Sequence, residues 1–150
     1  MFDRENDLKI DFDPLLRELG FQIVELHTAM VKGRTHLDLV IYRPEGVTID
    51  DCATVHKIVM PRAELILDDR DVALQVASPG IDRTFKENSE FAVFVDRGVR
   101  VLMQGTDDWI GGVVDSVSER DVTLRDGQQR QSIAFADIQK ARLDYSQEVK

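Results

Sequence analysis

The chain has 150 residues, a length that fits one ordinary domain or two small ones. Hydrophobic residues make up 43% of it and charged residues 31%, a composition that is typical of folded globular proteins and argues against intrinsic disorder. The formal net charge of −9 argues against a protein that wraps nucleic acid, because phosphate neutralisation needs a basic surface, and it favours a basic partner.

Along the chain, the first 42 residues predict a helix and a hairpin. Apolar residues recur at helical spacing over residues 8–19, and Gly20 is a typical C-terminal stop. Pro14 leaves two possibilities open, a kink in this helix or a helix that begins at the proline. Residues 21–31 and 36–42 then predict two antiparallel strands, joined by a short turn that contains a glycine.

A second helix is predicted from residue 49 towards residue 67. Thr48 and Asp51 form a variant of the capping box, in which two side chains satisfy the first free N–H groups of a helix. Pro61 lies inside this helix, so we expect a kink there or a break into two pieces. Residues 72–76 alternate between apolar and other side chains and predict a third strand.

This order of elements predicts an α+β domain over residues 1–91, with two helices on one face of a three-stranded sheet. The sequence pattern changes after residue 91. Short predicted strands recur with turn residues between them, over residues 99–104, 109–118, 121–125, 130–135 and 140–143. Gly111 and Gly112 lie within a strand, where glycine usually marks a bulge or a bend. Five short strands fit a small SH3-like or Sm-like β-barrel over residues 92–150.

Residues suited to catalysis are few. Ser78 does not lie in the G-x-S-x-G turn of hydrolases, so it is interpreted as a turn residue. Cys52, the single cysteine, and His56 are spaced to share a helix face, but two ligands are too few for a metal site. We therefore expect that the protein is not an enzyme and binds no metal or cofactor. A hydrolase that uses Ser78, or a metal held by Cys52 and His56, is the minor alternative.

The location of the protein is predicted from what the chain lacks. No apolar run approaches the roughly 18 residues of a membrane span, and the first residues lack the basic start and apolar core of a signal peptide. A single cysteine fits a compartment that keeps thiols reduced. The sequence thus predicts a cytoplasmic protein without membrane contact.

Basic residues of the second domain are the best candidates for contact with nucleic acid. The net charge is −7 over residues 1–91 but only −2 over residues 92–150, so a local patch is expected in the second part. The candidates are Arg97, Arg100, Arg125, Arg130, Lys140 and Arg142. Trp109 could stack on a base, but a place for it in the barrel core is the favoured interpretation.

The segment Ser78-Pro79-Gly80-Ile81-Asp82-Arg83 predicts a rigid turn. Proline fixes its own φ and glycine permits a positive φ, so Pro79 and Gly80 together favour a type II-like turn. Asp82 and Arg83 place opposite charges beside it. They fit either a fixed hydrogen-bonded junction or a binding pair presented to a partner.

Three segments resemble the bacterial ribosome maturation factor RimP family, in the family's order. The first is Ala77-Ser78-Pro79-Gly80-Ile81-Asp82-Arg83, which matches a strand that ends in Ser-Ser-Pro-Gly-Leu/Ile-Asp-Arg. The others are Gly46-Val47-Thr48-Ile49-Asp50-Asp51-Cys52, at the start of the second helix, and Asp137-Ile138-Gln139-Lys140-Ala141-Arg142-Leu143. The chain departs from the family pattern at Ala77, at Thr84 and at Pro61, which affects local turn and helix geometry.

The resemblance implies an α/β domain followed by an SH3-like barrel, and a monomeric, non-catalytic factor for assembly of the small (30S) ribosomal subunit. It implies transient binding to the immature subunit, beside a basic ribosomal protein near the decoding centre, with local contact to ribosomal RNA. A free-standing Sm-like RNA-binding module is the alternative. The expected contact residues are Ser78, Pro79, Gly80, Asp82, Arg83, Arg100, Arg125, Lys140 and Arg142.

Overall fold

The computed structural model describes residues 4–148, and the chain folds as two compact units that meet between Pro79 and Gly80. The first unit contains two helices and three strands: α1 (Arg4–Glu18), β1 (Gln22–Val31), β2 (Arg34–Tyr42), α2 (Ile49–Leu67) and β3 (Val72–Ala77). None of the helices in residues 4–148 is both long enough and apolar enough to cross a membrane.

The strands of the first unit form one sheet in the order β1-β2-β3. β1 and β2 are an antiparallel hairpin, whereas β3 runs parallel to β2 because α2 carries the chain back to the starting edge. Both helices pack against the sheet through one hydrophobic core, formed by Leu8, Phe12, Leu16, Phe21, Leu26, Leu37, Leu39, Ile41, Val55, Val59, Ala63, Leu67 and Val72. The predicted sheet with two helices is confirmed.

The ends of the helices follow the sequence signals. Gly20 has φ of +92°, and the Phe21 N–H donates to the Leu16 carbonyl oxygen at 2.8 Å, which terminates α1 as the glycine predicts. At the start of α2, the Asp51 N–H donates to Thr48 Oγ1 at 3.0 Å and the Thr48 N–H donates to Asp51 Oδ2 at 2.9 Å. The predicted capping box is therefore confirmed.

The two prolines interrupt neither helix. Pro14 lies within α1, which includes all residues from Arg4 to Glu18, so a helix start at Pro14 is wrong. Pro61 lies within α2, and the predicted break into two pieces is wrong as well. Pro61 lies on the exposed side of α2, while Val59 and Ala63 on either side of it are fully buried. The free energy gained by burying this apolar face offsets the loss of the single backbone hydrogen bond that a proline removes from the helix.

The second unit is an antiparallel sheet of five short strands: β4 (Gly98–Met103), β5 (Trp109–Val117), β6 (Asp121–Asp126), β7 (Gln129–Ala134) and β8 (Ile138–Leu143). Their order is β7-β6-β5-β4-β8, which makes an open, barrel-like domain with β7 and β8 at its edges. A short helix, α3 (Glu90–Val93), precedes the sheet. The α+β class predicted from the sequence is confirmed.

Residues 80–91 belong to the second unit, whereas the sequence analysis set the boundary after residue 91. Thr84 forms a β-bridge with Arg142 on β8, and the Phe85 N–H donates to the Ala141 carbonyl oxygen at 2.8 Å. The ring of Phe85 also packs on Phe91, with the ring centroids 4.9 Å apart. These contacts attach the segment to β8.

Candidate partner-binding surface

The segment from residue 78 to residue 83 is a turn, but its geometry differs from the prediction. The Arg83 N–H donates to the Gly80 carbonyl oxygen at 3.1 Å, so Gly80 is the first residue of the turn. The first position of a β-turn needs no positive φ. Gly80 is not among the glycines with positive φ in the described part of the chain, and the predicted type II-like geometry at Pro79 and Gly80 is wrong.

Arg83 is part of a buried ion pair. Its Nε donates to Glu90 Oε1 at 2.7 Å, and only 10% of the Arg83 side chain and 2% of the Glu90 side chain are exposed. Glu90 Oε2 also accepts the backbone N–H groups of Lys86 and Glu87, at 2.8 and 3.2 Å. Of the two interpretations left open for Arg83, the structure supports the fixed junction. Sequence reasoning missed Glu90, which carries no local signal of burial.

Ser78, Gly80 and Asp82 are exposed, and Pro79 is half-buried. Ile81, in the same turn, is 75% exposed, so a partner can reach both polar and apolar residues there, whereas Arg83 is largely buried. The atoms that surround Gly80 and Gly112, on β5, lead to different expectations for the effect of an added methyl group on stability.

Gly112→Ala is expected to lower the free energy of unfolding by about 1–3 kcal/mol, measured by urea denaturation. The added Cβ would lie 2.9 Å from the Arg125 carbonyl oxygen and 3.2 Å from the Leu124 Cβ, on the paired strand β6. Gly80→Ala is the control, because its Cβ would approach only Asp82 Oδ1, at 3.5 Å, and we expect a change below about 0.5 kcal/mol. Equal unfolding midpoints for the two variants would contradict this account.

Several of the basic candidates are neutralised by carboxylates. Arg125 on β6 donates to Asp96 at 3.0 Å and to Asp115 at 3.1 Å, and these hydrogen bonds raise its pKa. Arg130 on β7 donates to the same Asp115 at 3.1 Å. Hydrogen bonds from Arg130 and Arg125 in turn lower the pKa of Asp115. Arg97 is likewise paired, with Glu148.

The other candidates meet on one outer surface. Arg100 on β4 lies opposite Arg142 on β8, and Leu102 lies opposite both Lys140 on β8 and Trp109 on β5. Side chains directly across neighbouring strands point to the same side of a sheet. We call these five residues the basic face. The alternate residues of β4 and β8 point to the opposite side and are buried, namely Val99, Val101, Ala141 and Leu143.

Trp109 belongs to the basic face and not to the barrel core, so the interpretation that placed it in the core is wrong. Its side chain is 39% exposed. The guanidinium carbon of Arg100 lies 5.1 Å from the centre of its ring, which is within the range of a cation–π contact. The neighbouring position on β5 is Gly111, where the side chain of Gln147 fills the space that a Cβ would take.

The cations of the basic face have no carboxylate within ion-pair distance among residues 4–148. The Nε atoms of Arg100 and Arg142 are buried and make no hydrogen bond in that part of the chain. Asp144 interacts with Arg100 through charge alone. Its carboxylate accepts hydrogen bonds from Gln147 and Ser146, which lower its pKa together with the charge of Arg100.

The residues considered for catalysis are not assembled into a site. His56 Nε2 lies 3.2 Å from the Leu74 carbonyl oxygen, and burial together with the charge of Asp51 raises the pKa of the Cys52 thiol. Within residues 4–148, no group of three or more His, Cys, Asp or Glu side chains is arranged to hold a metal ion.

Comparison with known proteins agrees with this architecture. The family model described as the RimP N-terminal domain matches residues 12–82, which is nearly all of the first unit. The ribosome maturation factor RimP of Borrelia hermsii is 22% identical over 125 residues, which are 83% of this chain and 85% of that protein. The RimP of Borrelia turicatae is 23% identical over 126 residues, 84% of this chain and 86% of the relative. These matches support the RimP family as the family of this chain.

The family model includes residues 46–52 and 77–82 of the segments that resemble RimP, and the matches to the relatives cover more than four fifths of each chain. These relatives are named ribosome maturation factors, and neither they nor the family model indicates an enzyme. The RimP segment at residues 77–83 is the turn held by Glu90, and the segment at residues 137–143 supplies Lys140 and Arg142 to the basic face.

Proposed function

We propose that this chain is a RimP-type, non-catalytic factor of ribosome biogenesis in the cytoplasm, which binds the immature small (30S) ribosomal subunit transiently. The observation that carries the proposal is the match to RimP over most of the chain, to relatives that are named ribosome maturation factors. A factor that acts by binding needs exposed, chemically distinct surfaces, and the two units supply surfaces of opposite character.

The first unit is suited to a basic ribosomal protein. Residues 1–79 carry 15 acidic and 9 basic side chains. An excess of negative charge steers association with a basic partner and favours the correct orientation on encounter. Ser78, which is exposed and belongs to the first unit, is proposed to take part in this contact. Gly80 and Asp82 are exposed in the second unit and are proposed as separate contacts with the particle.

The second unit is suited to ribosomal RNA through the basic face alone. Arg100, Lys140 and Arg142 have no carboxylate partner among the described residues, whereas Arg125 is held by two aspartates. We therefore propose the first three as contacts with the particle. Arg125 and Arg83 have their charges satisfied within the protein, and we assign them no direct contact.

Sedimentation of a cell lysate through a sucrose gradient tests the proposed function. The protein is expected in the fractions that contain free small subunits and their precursors, and absent from those of complete ribosomes. If it never travels with small subunits or their precursors, the proposal is wrong. Tight binding to naked RNA without binding to particles would instead favour the free-standing RNA-binding module.

Arg142→Glu is expected to weaken co-sedimentation with precursor subunits at least tenfold while changing thermal stability little. The substitution reverses a charge of the basic face, but it places a carboxylate opposite Arg100, where opposite charges stabilise paired strands. Arg120→Glu is the matched control, since Arg120 is exposed, lies in the loop before β6 and has no carboxylate partner in the described chain. Equal co-sedimentation of the two variants would contradict the role of Arg142.

A further inference from the structure

The basic face joins two features on one side of the sheet: cations without a carboxylate at ion-pair distance among residues 4–148, and an exposed aromatic ring. On β6 and β7 the arginines are bound to aspartates, and Arg97 is bound to Glu148. On β4 and β8 three cations surround Trp109 and Leu102 without such partners among the described residues. This arrangement is suited to a ligand that carries negative charge, which the cations can bind, and a flat apolar group, which can stack on the ring of Trp109.

We propose that the basic face binds a short single-stranded segment of RNA, with phosphates at Arg100, Arg142 and Lys140 and one base stacked on Trp109. The inference deepens the proposed function, on which it rests for the source of the RNA. It assigns the chemistry of the ligand and a role to the single tryptophan of the chain.

The two arginines favour a phosphate as the anion. Arg100 and Arg142 lie directly opposite each other, an arrangement of like charges that destabilises a sheet unless an anion lies between them. Guanidinium groups bind phosphate oxygens through two parallel N–H groups. A phosphate between Arg100 and Arg142 would balance both charges.

Spacing along β8 suits a polynucleotide. Lys140 and Arg142 are two residues apart on one strand, so they are separated by roughly 6.8 Å, at about 3.4 Å per residue. Neighbouring phosphates of one nucleic acid strand are about this far apart, because the rise of about 3.4 Å per nucleotide is measured along the helix axis and the phosphates also turn around it. The two side chains can therefore contact neighbouring phosphates of one strand while Trp109 contacts an adjacent base.

The exposed ring of Trp109 distinguishes RNA from an acidic peptide. Carboxylates would satisfy the arginines but would leave the ring and the neighbouring Leu102 facing water. Bases stack on aromatic rings with little regard to sequence, and the Arg100 guanidinium that already lies against the ring contributes a cation–π contact. A single strand is favoured over a duplex because paired bases are already stacked and cannot reach the ring.

The test uses the fluorescence of the full-length protein, since Trp109 is its single tryptophan. Titration with a ten-nucleotide single-stranded RNA at low salt is expected to quench this fluorescence. In parallel, the anisotropy of the same RNA with a dye is expected to show about tenfold weaker binding to Trp109→Leu and to Arg142→Ala. Arg120→Ala, which removes an unpaired charge outside the basic face, is expected to change the affinity less than twofold.

A second variant and the salt dependence distinguish the loss of an RNA contact from the unfolding of a variant. Trp109→Phe keeps an aromatic ring and is expected to bind with an affinity between those of the wild type and Trp109→Leu. For Arg142→Ala, the slope of log affinity against log salt is expected to be smaller by about 0.7, the value for one contact with a single-strand phosphate. Thermal melting checks that each variant is folded.

Two outcomes would overturn the inference. One is unchanged fluorescence at saturating RNA, together with equal affinities for Trp109→Leu and the wild type. The other is a glutamate decapeptide that displaces the RNA at the same concentration as unlabelled RNA does. If the wild type still sediments with precursor subunits, either outcome removes the RNA site and leaves the proposed function; loss of that sedimentation alone removes the proposed function.

Discussion

Glu90→Ala is expected to lower the free energy of unfolding of the second unit by about 3–5 kcal/mol. The carboxylate of Glu90 is 2% exposed, binds the Arg83 guanidinium at 2.7 Å and accepts the N–H groups of Lys86 and Glu87. Its removal leaves a charge and two backbone donors without these acceptors, in a place that water reaches poorly. Urea denaturation followed by Trp109 fluorescence measures the effect, because the single tryptophan lies in the second unit.

Two further variants separate the ion pair from other effects of the substitution. Glu87→Ala changes an exposed carboxylate in the same segment and is expected to alter stability by less than about 0.5 kcal/mol. The double variant of Arg83→Met with Glu90→Ala is expected to recover part of the loss, since it removes the buried charge together with its carboxylate partner Glu90. A Glu90→Ala protein with the midpoint of Glu87→Ala would show that the pair contributes little.

The regular elements could be predicted because their signals are local. The strands β1 to β8 lie within a few residues of the predicted ranges, since the alternation of apolar side chains marks which face of each strand is buried. The capping box at Thr48 and the stop at Gly20 are equally local. Local rules failed at Pro14 and Pro61, where the packing of the whole helix outweighs the preference of one residue.

The segment after β3 could not be predicted in the same way. Residues 80–91 have no periodic pattern, and their structure depends on contacts with residues that are distant in sequence. Thr84 bridges to Arg142, and the Leu143 N–H donates to the Arg83 carbonyl oxygen at 2.9 Å. Nothing local indicates these pairings, so the sequence predicts only the turn at residues 78–83 and no regular element after it.

The candidate surface shows the same limit. Composition identified basic residues of the second unit as candidates but could not divide them into members with and without a carboxylate partner. Arg125 is neutralised by Asp96 and Asp115, while Arg100 lies opposite another arginine. Whether an arginine lies beside a carboxylate or beside another cation depends on strand order and register, since a shift of one residue moves a side chain to the other face of the sheet.

Phe91→Ala is expected to destabilise the second unit by about 3–5 kcal/mol and to leave the first unit protected. Phe91 is fully buried, and its ring packs on Phe85 and on Phe135, with centroid distances of 4.9 and 5.8 Å. Truncation to alanine leaves a cavity in this aromatic cluster. Amide hydrogen exchange in the full-length chain measures the effect element by element, and faster exchange is expected in β4 to β8 but not in β1 to β3.

Ile81→Ala is the matched control for Phe91→Ala. Ile81 lies in the same segment but is 75% exposed, so its truncation is expected to change stability by less than about 0.5 kcal/mol. Because Phe91 packs on rings at residues 85 and 135, the cavity should loosen only the unit that contains both. Faster exchange confined to β1 to β3 would instead place residues 80–91 with the first unit and restore the boundary that the sequence indicated, after residue 91.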